Sequence, residues 1–339
     1  MTAPERFGPA PGAPAALVEV LPGVHWLRLE LPFALDHVNV WLLEDGDGWT
    51  LIDTGVDDER TTGVWQRVLD GLGTRAIRRI LVTHFHPDHM GLAGPLCRRT
   101  GAPLWTSATE WLQGRMLTAD DSSEFVDVTV AHYRRCGLPE PFLLETARIG
   151  NAYRRRAAPP PASFHVLTEG DTVDVGGRRW DILIGRGHAP EHVCLLCRDE
   201  RILIAGDQVL PRISPNVSVW PSSPDADPLA AFLDTLVRFR DLPGDLRVLP
   251  SHDWPFVGLH ARLDQLARHH DERLDLLRRA RLEDGTAVEA MAFLFPRALD
   301  RHQTGFALGE TLAHLNYLVQ RIEAARWTDA DDLYRFTVK

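Results

Sequence analysis

The stretch Thr83-His84-Phe85-His86-Pro87-Asp88-His89 follows directly on a short apolar run, residues 80–82. It brings three imidazoles and one carboxylate together within six residues. Zinc accepts both kinds of ligand, and two histidines separated by one residue in an extended loop can converge on one ion. This stretch therefore predicts a metal-binding loop at the end of a buried strand.

Candidate ligands also follow three other strand-like runs farther along the chain. They are His188, Asp207 and His252, each placed within a few residues of the end of its run. Loops that a sheet holds rigidly commonly carry functional side chains. Two metal ions need more ligands than the first loop provides, so these residues are candidates for the same site.

The order of these motifs resembles that of the metallo-β-lactamase superfamily, in which a strand-end aspartate precedes H-x-H-x-D-H and then single His, Asp and His ligands. The resemblance covers about residues 20–252, and every motif is filled. The ligands that it implies are His84, His86 and His188 for one metal and Asp88, His89 and His252 for the second. It also implies that Asp207 bridges both metals and that Asp53 orients the ligand loop.

The resemblance implies a dinuclear zinc-dependent hydrolase, although His and Asp ligands also accept manganese or iron. Its nucleophile would be a hydroxide held between the two metals, which attacks the carbonyl of a small ester, thioester or lactone. Asp88 is the implied catalytic residue, because it would orient the hydroxide as well as bind metal. His37 and His192 are candidates for proton delivery, for substrate contact or for structural hydrogen bonds. The expected partner is a small-molecule substrate.

Three features narrow the substrate class within this superfamily. Asp207 stands where zinc-dependent β-lactamases generally lack a bridging aspartate, which disfavours penicillin-type substrates. Leu210 stands where quorum-quenching lactonases usually carry a catalytic tyrosine. Glyoxalase II enzymes bind glutathione partly through lysines, whereas the single lysine here is Lys339. A strict hydroxyacylglutathione hydrolase is therefore disfavoured, and a thioester hydrolase of other specificity is not.

Two other functions stay open. A metal-dependent phosphodiesterase or endoribonuclease could use the same ligands, and a non-catalytic metal- or DNA-binding protein could keep them without turnover. The 37 basic and 47 acidic residues give a formal net charge of −10 at pH 7. Binding of a polyanion depends on clustered cations, so this charge argues against a nucleic-acid partner. The complete ligand set argues against a vestigial metal site.

The pattern of strands and helices predicts the α+β class. Strand-like runs fill the first part of the chain and return at residues 180–184, with a helix at about residues 59–72 that should end at Gly73. A helical insert at about residues 108–158 separates the two sets of strands. This order favours two packed sheets carrying helices over a parallel doubly wound sheet. With the resemblance, the expectation becomes a four-layered αββα sandwich.

We expect three parts: a flexible leader at residues 1–16, a metallo-β-lactamase domain at residues 17–255 and a helical domain at residues 256–339. In the last part, three amphipathic helices precede a short β-like tail, an order that resembles a winged-helix domain. Thr286 and Glu289 fit a capping box for the second of these helices. The helices could also form a homodimer interface.

Nothing in the sequence predicts a membrane segment, because no run approaches the roughly 20 consecutive apolar residues that a membrane helix needs. The first residues do not have the pattern of a secretory signal. Four cysteines are too few and too unevenly spaced for a disulfide framework, which suits a reducing compartment. We therefore expect a cytoplasmic protein without a membrane partner.

Overall fold

The computed structural model describes residues 4–11, 16–73 and 76–339, which form sixteen strands and ten α-helices. The strands are β1 (Glu5–Arg6), β2 (Val18–Leu21), β3 (Val24–Glu30), β4 (His37–Asp45), β5 (Gly48–Ile52), β6 (Ile77–Leu81), β7 (Leu104–Thr106), β8 (His165–Val166), β9 (Thr172–Val175), β10 (Arg178–Gly185), β11 (His192–Cys197), β12 (Ile202–Gly206), β13 (Arg247–Pro250), β14 (Phe256–Val257), β15 (Ala324–Thr328) and β16 (Tyr334–Val338). The helices are α1 (Glu59–Leu72), α2 (Pro87–Met90), α3 (Ala93–Thr100), α4 (Ala108–Ala119), α5 (Ser123–Arg135), α6 (Glu140–Ile149), α7 (Pro228–Phe239), α8 (Leu259–Ala280), α9 (Ala287–Leu294) and α10 (Arg301–Gln320).

Strands β2 to β8 form the first sheet in chain order. β2 to β5 pair antiparallel, whereas β5 to β8 run parallel to one another. The tight connection between β4 and β5 pairs Asp45 with Gly48, and Gly46 has a φ of 63°, a conformation that favours glycine. The helix predicted before β6 is confirmed as α1, which ends where Gly73 also has a φ of 63°.

The second sheet has the strand order β1-β14-β13-β12-β11-β10-β9. β9 to β12 pair antiparallel, β13 runs parallel to β12, and β14 returns antiparallel to β13. β1, which belongs to the predicted leader, pairs with β14 at the edge of this sheet. Residues 1–3 and 12–15 of the leader lie outside the described residues, so the flexibility of this segment stays a prediction.

Three hydrophobic clusters separate four layers of structure. The cluster between the two sheets includes Trp26 from the first sheet and Trp180 from the second. Leu27 lies on the other face of the first sheet, in the cluster that contains Trp65 of α1. Leu196 lies on the outer face of the second sheet, in the cluster formed with α7, α8 and α10. Alternate strand residues thus serve opposite faces, and the predicted α+β fold, a four-layered αββα sandwich, is confirmed.

Helices α4, α5 and α6 lie between β7 and β8, within the segment expected to be a helical insert. A short 3₁₀-helix, Tyr153–Arg155, follows α6. This segment therefore leaves the first sheet at Thr106 and returns to it at His165.

The C-terminal part contains the three helices that the sequence predicts, α8, α9 and α10, followed by the hairpin of β15 and β16. The capping box at Thr286 and Glu289 is formed as predicted. β15 was not predicted, because its residues lack the regular alternation of apolar and polar side chains that marks a strand. Since α8 and α10 share a hydrophobic cluster with the second sheet, this part packs directly on the sandwich. The domain boundaries stay predictions.

The structure bears on two expectations drawn from the composition, those on disulfides and on membrane segments. All four cysteines are free thiols with buried side chains, as expected for a chain without a disulfide framework. In the described ranges, no helix combines the length and the apolar character that crossing a membrane requires.

Candidate metal centre

Within each sheet, the strands that carry the candidate ligands point the same way. β5 and β6 are parallel, and so are β12 and β13. β10 is related to β12 by two antiparallel steps through β11, so it also runs in the direction of β12. The loops after these strands therefore leave the two sheets at one end of the sandwich, where a sheet edge can hold functional side chains rigidly.

Asp53 follows β5 and contacts the ligand loop, residues 83–89, on the side away from the candidate metal positions. Its carboxylate accepts the backbone N–H of Thr83 at 2.8 Å and lies 2.8 Å from Nδ1 of His89. The Asp53 backbone has a φ of 65°, a left-handed conformation that is costly for a residue with a Cβ atom. Asp53 is also buried. Its contacts agree with the predicted role of orienting the loop.

Three histidines from two loops converge on one point. Nε2 of His84 lies 2.9 Å from Nδ1 of His86 and 3.1 Å from Nε2 of His188. Ligands placed tetrahedrally at about 2.0 to 2.1 Å from zinc lie roughly 3.3 Å from one another. The spacing of this group, named here the three-histidine group, is therefore close to that of three ligands of one ion.

A second group lies beside the first. Oδ2 of Asp88 is 3.5 Å from Nε2 of His89 and 3.6 Å from Nε2 of His252. Asp207 faces both groups, because its Oδ2 is 3.4 Å from Nε2 of His188 and 3.3 Å from Nε2 of His252. Its Oδ1 lies 3.6 Å from Nε2 of His89. The geometry thus brings all seven predicted ligands together, with Asp207 between the two groups.

Hydrogen bonds at Nδ1 fix the ring orientation of three candidate histidine ligands. His188 donates from Nδ1 to the carbonyl oxygen of Asn216 at 2.8 Å, and His252 donates from Nδ1 to that of His37 at 2.7 Å. His89 points Nδ1 at Asp53, as described above. A neutral imidazole protonated at Nδ1 keeps a lone pair on Nε2, and such outer contacts are typical of metal-ligating histidines.

Polar atoms of the site that are buried without a hydrogen-bond partner also indicate a metal ion. In the part of the chain that the structure describes, Nε2 of His89 and Oδ1 of Asp207 are buried without a hydrogen-bond partner. Buried polar atoms are normally paired, so these two atoms need a ligand that protein groups do not supply. The donor set of nitrogen and oxygen atoms is one that divalent zinc accepts.

The pKa shifts in the site follow from burial and from the carboxylates. Burial lowers the pKa of His86 to about 3 and that of His84 well below its usual value, which favours the neutral imidazole that binds metal. Burial opposes ionisation of Asp88, but the neighbouring His89 lowers its pKa to about 2. Burial opposes protonation of His89, yet the carboxylates around it raise its pKa. The ionised carboxylates thus create a site that attracts a cation.

His37 and His192 both contact the backbone of the loops that carry candidate ligands. Nε2 of His192 accepts the backbone N–H of Asp207 at 3.0 Å, and the side chain is fully buried. Nε2 of His37 accepts the backbone N–H of Asp253 at 2.9 Å, and its Nδ1 lies 2.6 Å from Asp36. Both rings therefore hold ligand loops in place, and a role in proton delivery or substrate contact stays a prediction.

Sequence reasoning missed several residues that shape the site. The hydroxyl of Tyr153 donates to the carbonyl oxygen of Phe85, which lies between two candidate ligands. Glu110 accepts the backbone N–H of Phe85 at 2.8 Å. Asn216 holds His188, and the ring of Trp220 lies 6.1 Å from that of His86, measured between centroids. Spacing in the sequence contains no signal for these contacts, because each joins separate elements.

A two-sheet sandwich with a cluster of His and Asp side chains at one end identifies a candidate metalloprotein. Residues 34–252 match the family model described as the metallo-beta-lactamase superfamily, and residues 274–339 match the one described as the metallo-beta-lactamase-like C-terminal domain. The first match covers more than half of the chain. The chain belongs to the metallo-β-lactamase superfamily, as the motif order predicts.

Three similar proteins illustrate the range of relatives. A solved structure of a beta-lactamase domain protein from Burkholderia ambifaria is 40% identical, has a TM-score of 0.91, and covers 98% of this chain and 96% of that chain. "Probable metallo-hydrolase YqjP" from Bacillus subtilis is 24% identical over 92% of this chain and 97% of its own length. An acyl-coenzyme A thioesterase from Gallus gallus is 25% identical over 55% of this chain and 63% of its own length. These similarities support a metal-dependent hydrolase.

Proposed function

We propose that this protein is a dinuclear zinc-dependent hydrolase of small thioesters, with esters and lactones as the neighbouring substrate classes. The observation that supports it most directly is the position of Asp207. Its carboxylate lies within 3.6 Å of ligand nitrogens from both groups, namely His188, His252 and His89. A carboxylate shared in this way is suited to bridging two ions.

Seven side chains would hold the metals. We propose His84, His86 and His188 for one ion, Asp88, His89 and His252 for the second, and Asp207 for both. When bound, zinc supplies Lewis acidity and lowers the pKa of water to about 7, so that a hydroxide nucleophile is available at neutral pH. Manganese or iron stays an alternative, because the same donors accept them.

Asp88 is the proposed catalytic residue of the chain itself. Its side chain is 18% exposed, whereas those of His89, His252 and Asp207 are exposed by 9% or less. Asp88 is therefore the acidic side chain of the site that is best placed to meet an entering water or substrate. We propose that Asp88 orients the attacking water and accepts its hydrogen bond. Asp53 would fix the orientation of the His89 ring.

We propose thioesters ahead of esters and lactones as substrates because about half of the chain is similar to a thioesterase. The net charge of −10 supports a small-molecule substrate over nucleic acid.

We also propose a cytoplasmic location, supported by four free cysteines. The three C-terminal helices and their hairpin support a winged-helix-like description, and a homodimer through them stays a proposal.

The test combines metal content with a substrate panel. Protein purified without added metal is analysed for bound metal and assayed with acetyl-coenzyme A, p-nitrophenyl acetate, a small lactone and bis(p-nitrophenyl) phosphate. Asp207→Ala removes the shared carboxylate and is expected to reduce bound zinc and to lower kcat/KM by about 100-fold or more. Asp245→Ala is the matched control, because Asp245 is 70% exposed and pairs with Arg201 on the surface.

Two zinc ions per chain and thioester hydrolysis that is lost in Asp207→Ala but kept in Asp245→Ala would support the proposal. Protein without metal, or hydrolysis unaffected by Asp207→Ala, would contradict it. Cleavage of the phosphodiester alone would favour a nuclease instead.

A further inference from the structure

Glu110 is a fully buried carboxylate close to the candidate metal centre but outside the ligand set. It lies in the first turn of α4, at the start of the helical segment between β7 and β8. One carboxylate oxygen accepts the backbone N–H of Phe85 at 2.8 Å. The other accepts the backbone N–H of Glu191 at 2.6 Å. A single side chain thus satisfies two backbone donors from distant parts of the chain.

These two donors belong to the two loops of the three-histidine group. Phe85 lies between His84 and His86, and Glu191 follows three residues after His188. The first loop follows β6 of the first sheet, and the second follows β10 of the second sheet. Glu110 therefore connects the loops across the gap between the two sheets, at the place where their imidazoles meet.

We propose that Glu110 is a positioning residue that holds the His84–His86 loop and the His188 loop at the separation needed for one metal ion. This inference rests on the proposed metal centre, and it assigns to Glu110 no contact with metal or substrate.

The local sequence would give Glu110 a different role. Ser107 caps α4 by accepting the backbone N–H of Glu110, and a Ser-x-x-Glu pattern usually completes a capping box with a bond from the Ser backbone to the Glu carboxylate. Here the carboxylate turns away to the two loops. Burial raises its pKa to about 7, so the ionised form is costly at this position. An apolar residue would avoid that cost, which indicates that the two N–H bonds are what the position requires.

Neighbouring contacts strengthen the same connection. The hydroxyl of Thr109, next to Glu110, donates to the Glu191 carboxylate at 2.6 Å. Tyr153 donates to the carbonyl oxygen of Phe85, so both backbone groups of Phe85 bond to the helical segment. Both loops are therefore held by α4, and the first loop is also held by the 3₁₀-helix that follows α6.

The test uses Glu110→Gln in the full-length protein. Glutamine has the same shape, but its amide group places an N–H against one of the two backbone donors. The matched control is Asp264→Asn, which makes the same carboxylate-to-amide change at a buried carboxylate of α8 that pairs with the exposed Arg240 at the carboxyl end of α7. Glu110→Asp is a second variant that keeps the charge but is too short to reach both donors.

Two readouts are measured on metal-free protein and during metal titration. Affinity for Zn²⁺ and Co²⁺ is determined by chelator competition, with the Co²⁺ absorption bands reporting ligand geometry. Glu110→Gln is expected to weaken binding about tenfold or more, Glu110→Asp to weaken it less, and Asp264→Asn to leave it unchanged. Hydrogen exchange of the metal-free protein is expected to accelerate at residues 84–86 and 188–191 in the Glu110 variants only.

Wild-type affinity and Co²⁺ bands in Glu110→Gln would overturn this inference, as would loop exchange rates equal to those of the wild type. A similar loss of metal affinity in Asp264→Asn would also overturn the inference, because the effect of Glu110→Gln would then reflect general stability. A wild-type protein that binds neither ion would instead overturn the proposed function, while exchange in the metal-free loops still decides whether Glu110 holds them.

Discussion

Trp220 keeps a large apolar surface beside the candidate metal centre, where its side chain is 41% exposed. Its ring centroid lies 6.1 Å from that of His86 and 6.2 Å from that of Phe85. Aromatic side chains at the edge of a polar site commonly contact the apolar part of a ligand. We infer that Trp220 contacts the acyl or leaving group of the substrate.

Replacing this side chain should therefore affect binding more than chemistry. Trp220→Ala is expected to raise KM roughly two- to tenfold, as loss of an aromatic contact of about 0.5 to 1.5 kcal/mol implies, with little change in kcat. Steady-state kinetics with the best substrate of the panel measures both constants. Trp327→Ala is the matched control, because Trp327 is also 41% exposed but lies on β15. An unchanged KM in Trp220→Ala, or an equal rise in the control, would contradict this role.

Helices α8 and α10 meet through a pair of buried histidines. Nδ1 of His270 lies 3.2 Å from Nε2 of His314, and both side chains are fully buried. Burial lowers the pKa of His314 to about 4 and that of His270 to about 2. Among the charged and titratable groups near the pair, Glu310 favours protonation of His314, whereas Arg273 and His269 oppose protonation of both histidines. The contact between the helices therefore depends on neutral imidazoles.

This pair makes the stability of the helical layer depend on pH. The folded-state pKa values lie below the usual 6.5, so as pH falls from 6.5 to about 4 the unfolded chain takes up protons that the folded protein does not. The free energy of unfolding should therefore decrease over this range as pH falls. His314→Gln is expected to remove about 1 to 3 kcal/mol of that decrease, measured by urea unfolding at pH 7.5 and pH 5.

A control on the same helix separates titration from packing. Leu315 is fully buried on α10, and Leu315→Ala is expected to lower the free energy of unfolding by about 2 to 5 kcal/mol at both pH values. If His314→Gln keeps the wild-type dependence on pH, the buried pair is not its source.

Helix α10 packs against residues 216–220, a segment of chain that also contacts a candidate metal ligand. Val219 donates its backbone N–H to the carbonyl oxygen of Gly309 on α10 at 3.1 Å. In the same segment, Asn216 accepts the hydrogen bond from His188. A Cβ atom on Gly309 would lie 2.7 Å from Oγ of Ser218, so α10 packs against this segment with no room for a side chain. The position of α10 thus affects a candidate metal ligand.

Two glycines on α10 test this connection. Gly309→Ala should displace residues 216–220, lower the free energy of unfolding by about 1 to 3 kcal/mol and reduce zinc affinity and kcat/KM. Gly305→Ala should instead raise the free energy of unfolding by roughly 0.5 to 1 kcal/mol, because its Cβ atom would meet only the Tyr133 hydroxyl, at 3.9 Å. Thermal unfolding, zinc titration and kinetics compare the two. Wild-type zinc affinity in Gly309→Ala would show that the helix does not act on the site.

Local patterns were sufficient for many elements. The helix at residues 59–72, its end at Gly73 and the capping box at Thr286 were predicted correctly, because each depends on side chains within a few residues of one another. β15 was missed because its pairing with β16 depends on a partner strand rather than on its own pattern.

The sequence by itself determined the family, the layered fold and the seven candidate ligands, since the ligand motifs are short and each follows a strand-like run. Only the tertiary structure decided what holds those ligands: the carbonyl oxygens of Asn216 and His37 and the carboxylate of Glu110. Glu110 lies 25 residues from Phe85 and 81 from Glu191 along the chain. Contacts over such separations depend on how two sheets and a helix pack together, and no local spacing records that arrangement.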